Sequence, residues 1–130
     1  MNKETRNMKV FDLTEMKIFP YEDREKNVFY QAEGFKTRII ELPAGGKMPL
    51  CRMSEHVIFV VLDGKVTVTG NSTKMDLKEK NCLITEPADL SMHTKKGVRI
   101  LGIQIETAEK RKKGFPLEEN PMNLSELKKG

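Results

Sequence analysis

The sequence predicts an all-β domain, an antiparallel sandwich or barrel with a short irregular or helical C-terminal tail. Three observations carry this. Short apolar or alternating runs recur along the chain, each closed by turn residues, and helical periodicity is weak throughout. The 130 residues are enough for one domain with its own apolar core. Hydrophobic residues at 38% and charged residues at 32% fit a folded globular chain, not a disordered one.

The elements follow in order. Extended segments are expected over 8–19, with the core barrel over about 28–106. IIELPAGGKMP carries a strand into a Pro/Gly loop, where Gly45 and Gly46 supply backbone freedom. Val57 to Leu62 is a continuous apolar run, as a strand covered on both faces requires. Asp63-Gly64 follows, then the alternating KVTVT of 65–69, which together predict a two-residue hairpin. GNST at 70–73 is a second turn, leading into KMDL. CLIT at 82–85 is a further strand, closed by Glu86-Pro87. VRILGIQIE at 98–106 is the last, with Gly102 marking a bend or a close backbone approach. The tail 107–130 is charged, holds Pro116 and Pro121, and has room for one helical turn around Leu124 to Leu127. It is either an arm on a neighbouring subunit or a frayed end.

Charge and cysteine usage restrict partners and compartment. A net charge of +4 is mild, and the run KRKK at 110–113 lacks aromatic interleaving. It reads as a solvated surface, so no nucleic-acid partner is expected. No apolar run reaches the length that crosses a bilayer, so no membrane partner is expected either. MNKETRNMK has no apolar leader segment, and Cys51 and Cys82 suit a reducing compartment as free thiols. The expected setting is the cytoplasm.

The turns and strands between residues 36 and 106 resemble the cupin superfamily, small jelly-roll barrels. The first motif of that family runs Gly, five residues, His-x-His, three or four residues, Glu, six residues, Gly. Anchored on Gly45 and Gly64, it places Cys51 and Met53 at the histidines and Val57 at the glutamate. The second runs Gly, five residues, Pro-x-Gly, two residues, His, three residues, Asn. Here Asn81 stands at the first glycine, Pro87 at the proline, Asp89 at the second glycine, Met92 at the histidine and Lys96 at the asparagine. Asn and Asp tolerate left-handed backbone angles, so the turns of the framework survive.

The resemblance implies that these positions line the barrel interior. Strand alternation puts Cys51, Met53, Val57, Phe59 and Val61 on one face. A hard or borderline divalent ion wants imidazole or carboxylate, and these positions supply neither. Three readings stay open. The interior is an apolar pocket or filled core with no metal, or Cys51, Met53 and Met92 form a soft Cu(I) site, or His56 and His93 turn inward through bulges and hold Fe, Mn, Ni or Zn. No cofactor is expected on the first reading. Arg52 alternates away from Cys51, which makes that thiol inert.

The expected function is binding of a small organic ligand in the barrel, or a sensing or structural role, with no catalytic residue assigned. Cys51, Met53, Val57, Phe59, Met92 and Gln104 are the expected ligand-binding residues, and Tyr30 and Arg38 are further polar candidates. The alternatives are a metal-dependent isomerase or dioxygenase, and a dimeric interaction module with a filled barrel. Ile58 and Val60 make the outward face of their strand as apolar as the inward one, so a homodimer is expected.

Overall fold

The computed structural model describes residues 2–5 and 8–106; the expectations for the tail 107–130, including the basic run 110–113, lie outside the described residues. Its strands are β1 (Asn2–Thr5), β2 (Met8–Phe11), β3 (Val28–Ala32), β4 (Phe35–Leu42), β5 (Lys47–Met53), β6 (His56–Gly70), β7 (Thr73–Lys78), β8 (Cys82–Thr85), β9 (Ala88–His93) and β10 (Val98–Ile105). A 3-10 helix, Tyr21–Asn27, precedes β3. Among the described residues no helix is long and apolar enough to cross a membrane.

All strand pairs are antiparallel, and the sheet curls around β6. The first half of β6 pairs with β10 and β8, and β10 continues to β4 and β3. The second half pairs with β7 and β9, and β9 continues to β5. One strand therefore belongs to both faces of the jelly roll, as in packings where a bent strand changes sheet. The hairpin expected at Asp63-Gly64 is not formed. The chain bends there and continues as the same strand, because β10 pairs across the bend instead of leaving Val66 to fold back on Val61.

The bend is a bulge with a parity change. Val98 and Arg99 oppose Gly64 and Asp63, but Ile100 opposes Val61, so Leu62 has no opposite number. Buried residues accordingly pass from odd positions (Val57, Phe59, Val61) to even ones (Val66, Val68). One inserted residue is what flips the inward face. Gly64 has φ +86° and lies so close to Gly97 that a Cβ would stand 2.2 Å from the Gly97 carbonyl oxygen. Thr94 fastens the same corner: its hydroxyl donates to the Lys65 carbonyl at 2.6 Å and accepts from the Gly97 N–H at 3.0 Å.

The other turns follow their local chemistry. Gly70 and Thr73 pair across Asn71 and Ser72, whose φ values of 50° and 68° fit a two-residue hairpin. Between β7 and β8 the left-handed residue is Lys80 (φ 74°), not Asn81. Asn81 works through its side chain, whose Oδ1 accepts from the Lys78 N–H at 2.9 Å. Asp89 sits inside β9 opposite Arg52, to which it is ion-paired at 2.8 Å, and forms no turn. Gly102 does not bend β10; the irregularity lies at Arg99 and Ile100.

Inside the curl, Ile40, Leu42, Met48, Val57, Phe59, Val61, Val66, Val68, Leu90, Met92, Val98 and Ile100 form one apolar core. The N-terminal segment crosses the outer face of the first sheet. Of the extended stretch expected over 8–19 only β2 is strand; beyond it, Asp12 Oδ1 accepts from the Thr14 N–H and hydroxyl and from the Glu15 N–H. These bonds, those from Thr14 foremost, hold the Asp12 carboxyl below its usual range. The Arg99 guanidinium then donates to the carbonyls of Leu13 and Met16 and pairs with Glu41 at 3.1 Å. Ile39, outward on β4, is fully buried on this face.

Candidate functional site

Three inward rows run across the first sheet, each defined by pairing register. Lys36, Gln104 and Val57 form the outermost, Arg38, Gly102 and Phe59 the next, and Ile40, Ile100 and Val61 the innermost. The rows thus grade from polar to apolar towards the core. A cavity of about 240 Å³ opens over the first two, bounded across the curl by Met48, Cys51 and Met53 of β5 and by Tyr21, Arg24 and Glu25 of the 3-10 helix.

Gly102 makes the floor. A Cβ built there would lie 3.7 Å from Phe59 and 3.8 Å from Arg38, ordinary contact distances. The glycine is therefore not demanded by its backbone or by close packing. Its effect is to leave open the space between the Phe59 ring and the Arg38 side chain.

The polar groups converge from three elements. Glu55, in the short connection between β5 and β6, is only 3% exposed, and its Oε1 accepts from Gln104 Nε2. Arg38 is 16% exposed at its side chain and meets Glu25 Oε2 at 3.4 Å, the latter side chain being 75% exposed. Arg24 lies over the Tyr21 ring at 4.4 Å and donates to the Tyr21 carbonyl at 3.2 Å. Burial pushes the Tyr21 phenol above its ordinary range, against the pull of the Arg24 charge. Asn27 holds this 3-10 turn in place, bonding Phe19 N–H and carbonyl with its amide at 2.8 and 2.9 Å.

Of the residues expected at the site, Cys51, Met53, Val57, Phe59 and Gln104 line the cavity, and so does Arg38. Met92 lies elsewhere: it is buried in the core opposite Val68 and Met48 and does not line the cavity. Tyr30 packs against Phe11 and Phe35. His56 and His93 are both exposed, so no bulge turns them inward; the irregularity in β5 falls between Met48 and Cys51 instead. Among the described residues no three His, Cys, Asp or Glu side chains group as metal ligands.

The ligand positions of the family do not fit a divalent ion here. Val57 has no donor atom, Cys51 and Met53 offer sulfur, and Met92 is sent into the core. Neither the three-sulfur set nor the two histidines are brought together in the cavity.

Glu55 is the site residue that motif matching passes over. It lies in the connection between β5 and β6, where strand alternation assigns no face, so its position came from the structure.

Several solved structures resemble this chain in fold. The Cnp3 cupin domain of Schizosaccharomyces pombe aligns with a TM-score of 0.58 and 26% identity over 72% of each chain. A candidate ethanolamine utilization protein Q of Salmonella typhimurium LT2 aligns at 0.69 and 14% over 81% of this chain and 92% of its own. An RmlC-like cupin protein of Desulfovibrio desulfuricans gives 0.63 and 18% over 75% and 96%. The latter two likenesses are of fold alone. No family model and no curated protein sequence matches the chain.

Proposed function

We propose that this chain, a protein of the cupin superfamily fold, binds a small organic molecule in the cavity between its sheets. The observation that carries this reading is the open floor at Gly102, ringed by Arg38, Gln104 and Glu55 from three different elements. Apolar walls with a few convergent polar groups are the usual make-up of a small-molecule site. The reading assigns no catalytic residue and no metal, in keeping with the sulfur and alkyl groups at the family's ligand positions. The cytoplasm is the setting proposed for the protein, one that suits two cysteines held as thiols.

The test fills the floor. Gly102→Leu is expected to fold and to weaken fragment binding at least about 10-fold, since the new side chain occupies the ligand's space. Ligand-observed NMR with a library of small polar fragments, run on both proteins, reads this directly. Fragments that bind the folded variant as well as the parent, or a library with no binder to the parent, would overturn the cavity as the site.

A second reading, a homodimer, is favoured by the outer face of the first sheet. Ile58, Val60, Leu101 and Ile103 are only half-buried there, and Ile84 beside them is 66% exposed. A contiguous apolar face of this kind suits a second copy. A dimer mass is expected by light scattering at micromolar concentration. Ile84→Glu, which buries an unpaired charge in the interface, should weaken association by at least about 30-fold, or roughly 2 kcal/mol. A monomer in the parent protein would reject this reading.

A further inference from the structure

We infer that the cavity selects a small organic monoanion, a short-chain monocarboxylate whose charged end meets Arg38 and whose apolar end lies on Phe59, Ile40 and Met48. The inference rests on the cavity-binding reading and adds the ligand's charge, number of charges and size.

Charge comes first. The cavity is lined by four cations, Arg24, Lys36, Arg38 and Arg52, against two carboxylates, Glu25 and Glu55. The cations are not equivalent. Arg52 is exposed and held by Asp89 at 2.8 Å, while Arg24 is stacked on Tyr21. Arg38 is well covered, and its contact with Glu25 is long and made to a carboxylate that stands mostly in water. Such a pair contributes little and yields readily to a ligand anion held in a more sheltered place. A planar guanidinium is also the group that grips a carboxylate by two parallel hydrogen bonds.

Position fixes which end goes where. Arg38 shares its row with Gly102, so the open floor is directly beside the guanidinium-bearing side chain. From there the lining turns apolar towards Phe59, Ile40 and Met48. A ligand with one charged end and a short hydrocarbon body matches that gradient, with its chain buried in place of water.

Glu55 limits the number of charges. It is buried at the other polar end of the same cavity, on Gln104. A second carboxylate on the ligand would lie near it in a sheltered medium, where like charges repel strongly. The volume of about 240 Å³ limits size, since pockets for drug-sized ligands measure roughly 300–1,000 Å³.

The experiment uses straight and branched C3–C6 monocarboxylates, their primary amides, and C4–C6 dicarboxylates, titrated at neutral pH by ligand-observed NMR. The full chain is compared with Arg38→Gln and Gly102→Leu. At least one monocarboxylate is expected to bind the parent about 10-fold or more tighter than its amide and than the dicarboxylate of equal length. Arg38→Gln should bring the acid down to the level of its amide, and Gly102→Leu should remove both. If amides bind as tightly as acids, or the acid preference survives Arg38→Gln, the monoanion inference is wrong, and loss of both in Gly102→Leu would leave the cavity reading standing. Equal or tighter binding of dicarboxylates overturns the single-charge assignment. A panel in which nothing binds also overturns the inference, and the broader fragment library then decides the cavity reading separately.

Discussion

Gly64→Ala is expected to lower stability by about 2–4 kcal/mol, the sum of a left-handed backbone penalty of about 1–2 kcal/mol and an overpacking cost of similar size. Both terms have a visible source. At φ +86° an L side chain is strained whatever space it has, and here the Cβ would also stand 2.2 Å from the Gly97 carbonyl oxygen and 3.0 Å from Val98 Cα. These neighbours are backbone and cannot rotate away. Gly97 is itself tethered, its N–H donating to the Thr94 hydroxyl at 3.0 Å. The corner joins the two sheets through β6, and its distortion reaches the core on both sides. Urea denaturation should show the loss, and the thermal midpoint should fall by roughly 10–20 °C. A fall of under about 1 kcal/mol would mean that the bend tolerates a side chain and that the two-sheet strand is not pinned here.

Thr94→Val should cost about 1.5–3 kcal/mol, because it removes one hydroxyl that serves two backbone partners. The isosteric methyl leaves the Lys65 carbonyl without its donor at 2.6 Å and the Gly97 N–H without its acceptor at 3.0 Å. Thr94 is 2% exposed, so water replaces those bonds poorly. Thr94→Ser keeps the hydroxyl and loses only a methyl, for which about 0.8 kcal/mol is expected. The contrast between the two variants is the measurement. Equal losses in denaturant titration would assign the residue's role to packing. Combined with Gly64→Ala, the Val variant should be less than additive, since both changes act on the stretch around Gly97.

Much of the strand layout was legible because it depends on short-range chemistry. The continuous apolar run Val57–Leu62, the alternation in 65–69, the turn residues 71–72 and the closure of β8 before Pro87 are all local signals. Asp63-Gly64 shows where such signals stop. Aspartate with a glycine at positive φ suits a two-residue hairpin and a bulged bend equally well. The choice lay with β10, which offers its backbone to both sides of the bend, and with Gly97, which packs onto it.

The candidate site divides in the same way. Cys51, Met53, Val57 and Phe59 could be put on one face by parity, and the resemblance to the cupin motifs made that face the inward one. Met92 shares that inward orientation, yet lies beside Val68, where the curl of the sheet closes over it. Arg38, Gln104 and Glu55 come from β4, β10 and the β5–β6 connection, so their meeting depends on strand order and register.

The sequence by itself therefore determined the fold class, most of the strands and the sulfur and alkyl chemistry of the inward face. Each of these is set by a residue and its near neighbours in the chain. Only the tertiary structure decided that one strand serves two sheets, that both histidines face outward, and that Gly102 leaves a floor between Phe59 and Arg38. Those features arise where strands distant in sequence pair in a particular register, and a shift of one residue would exchange their faces.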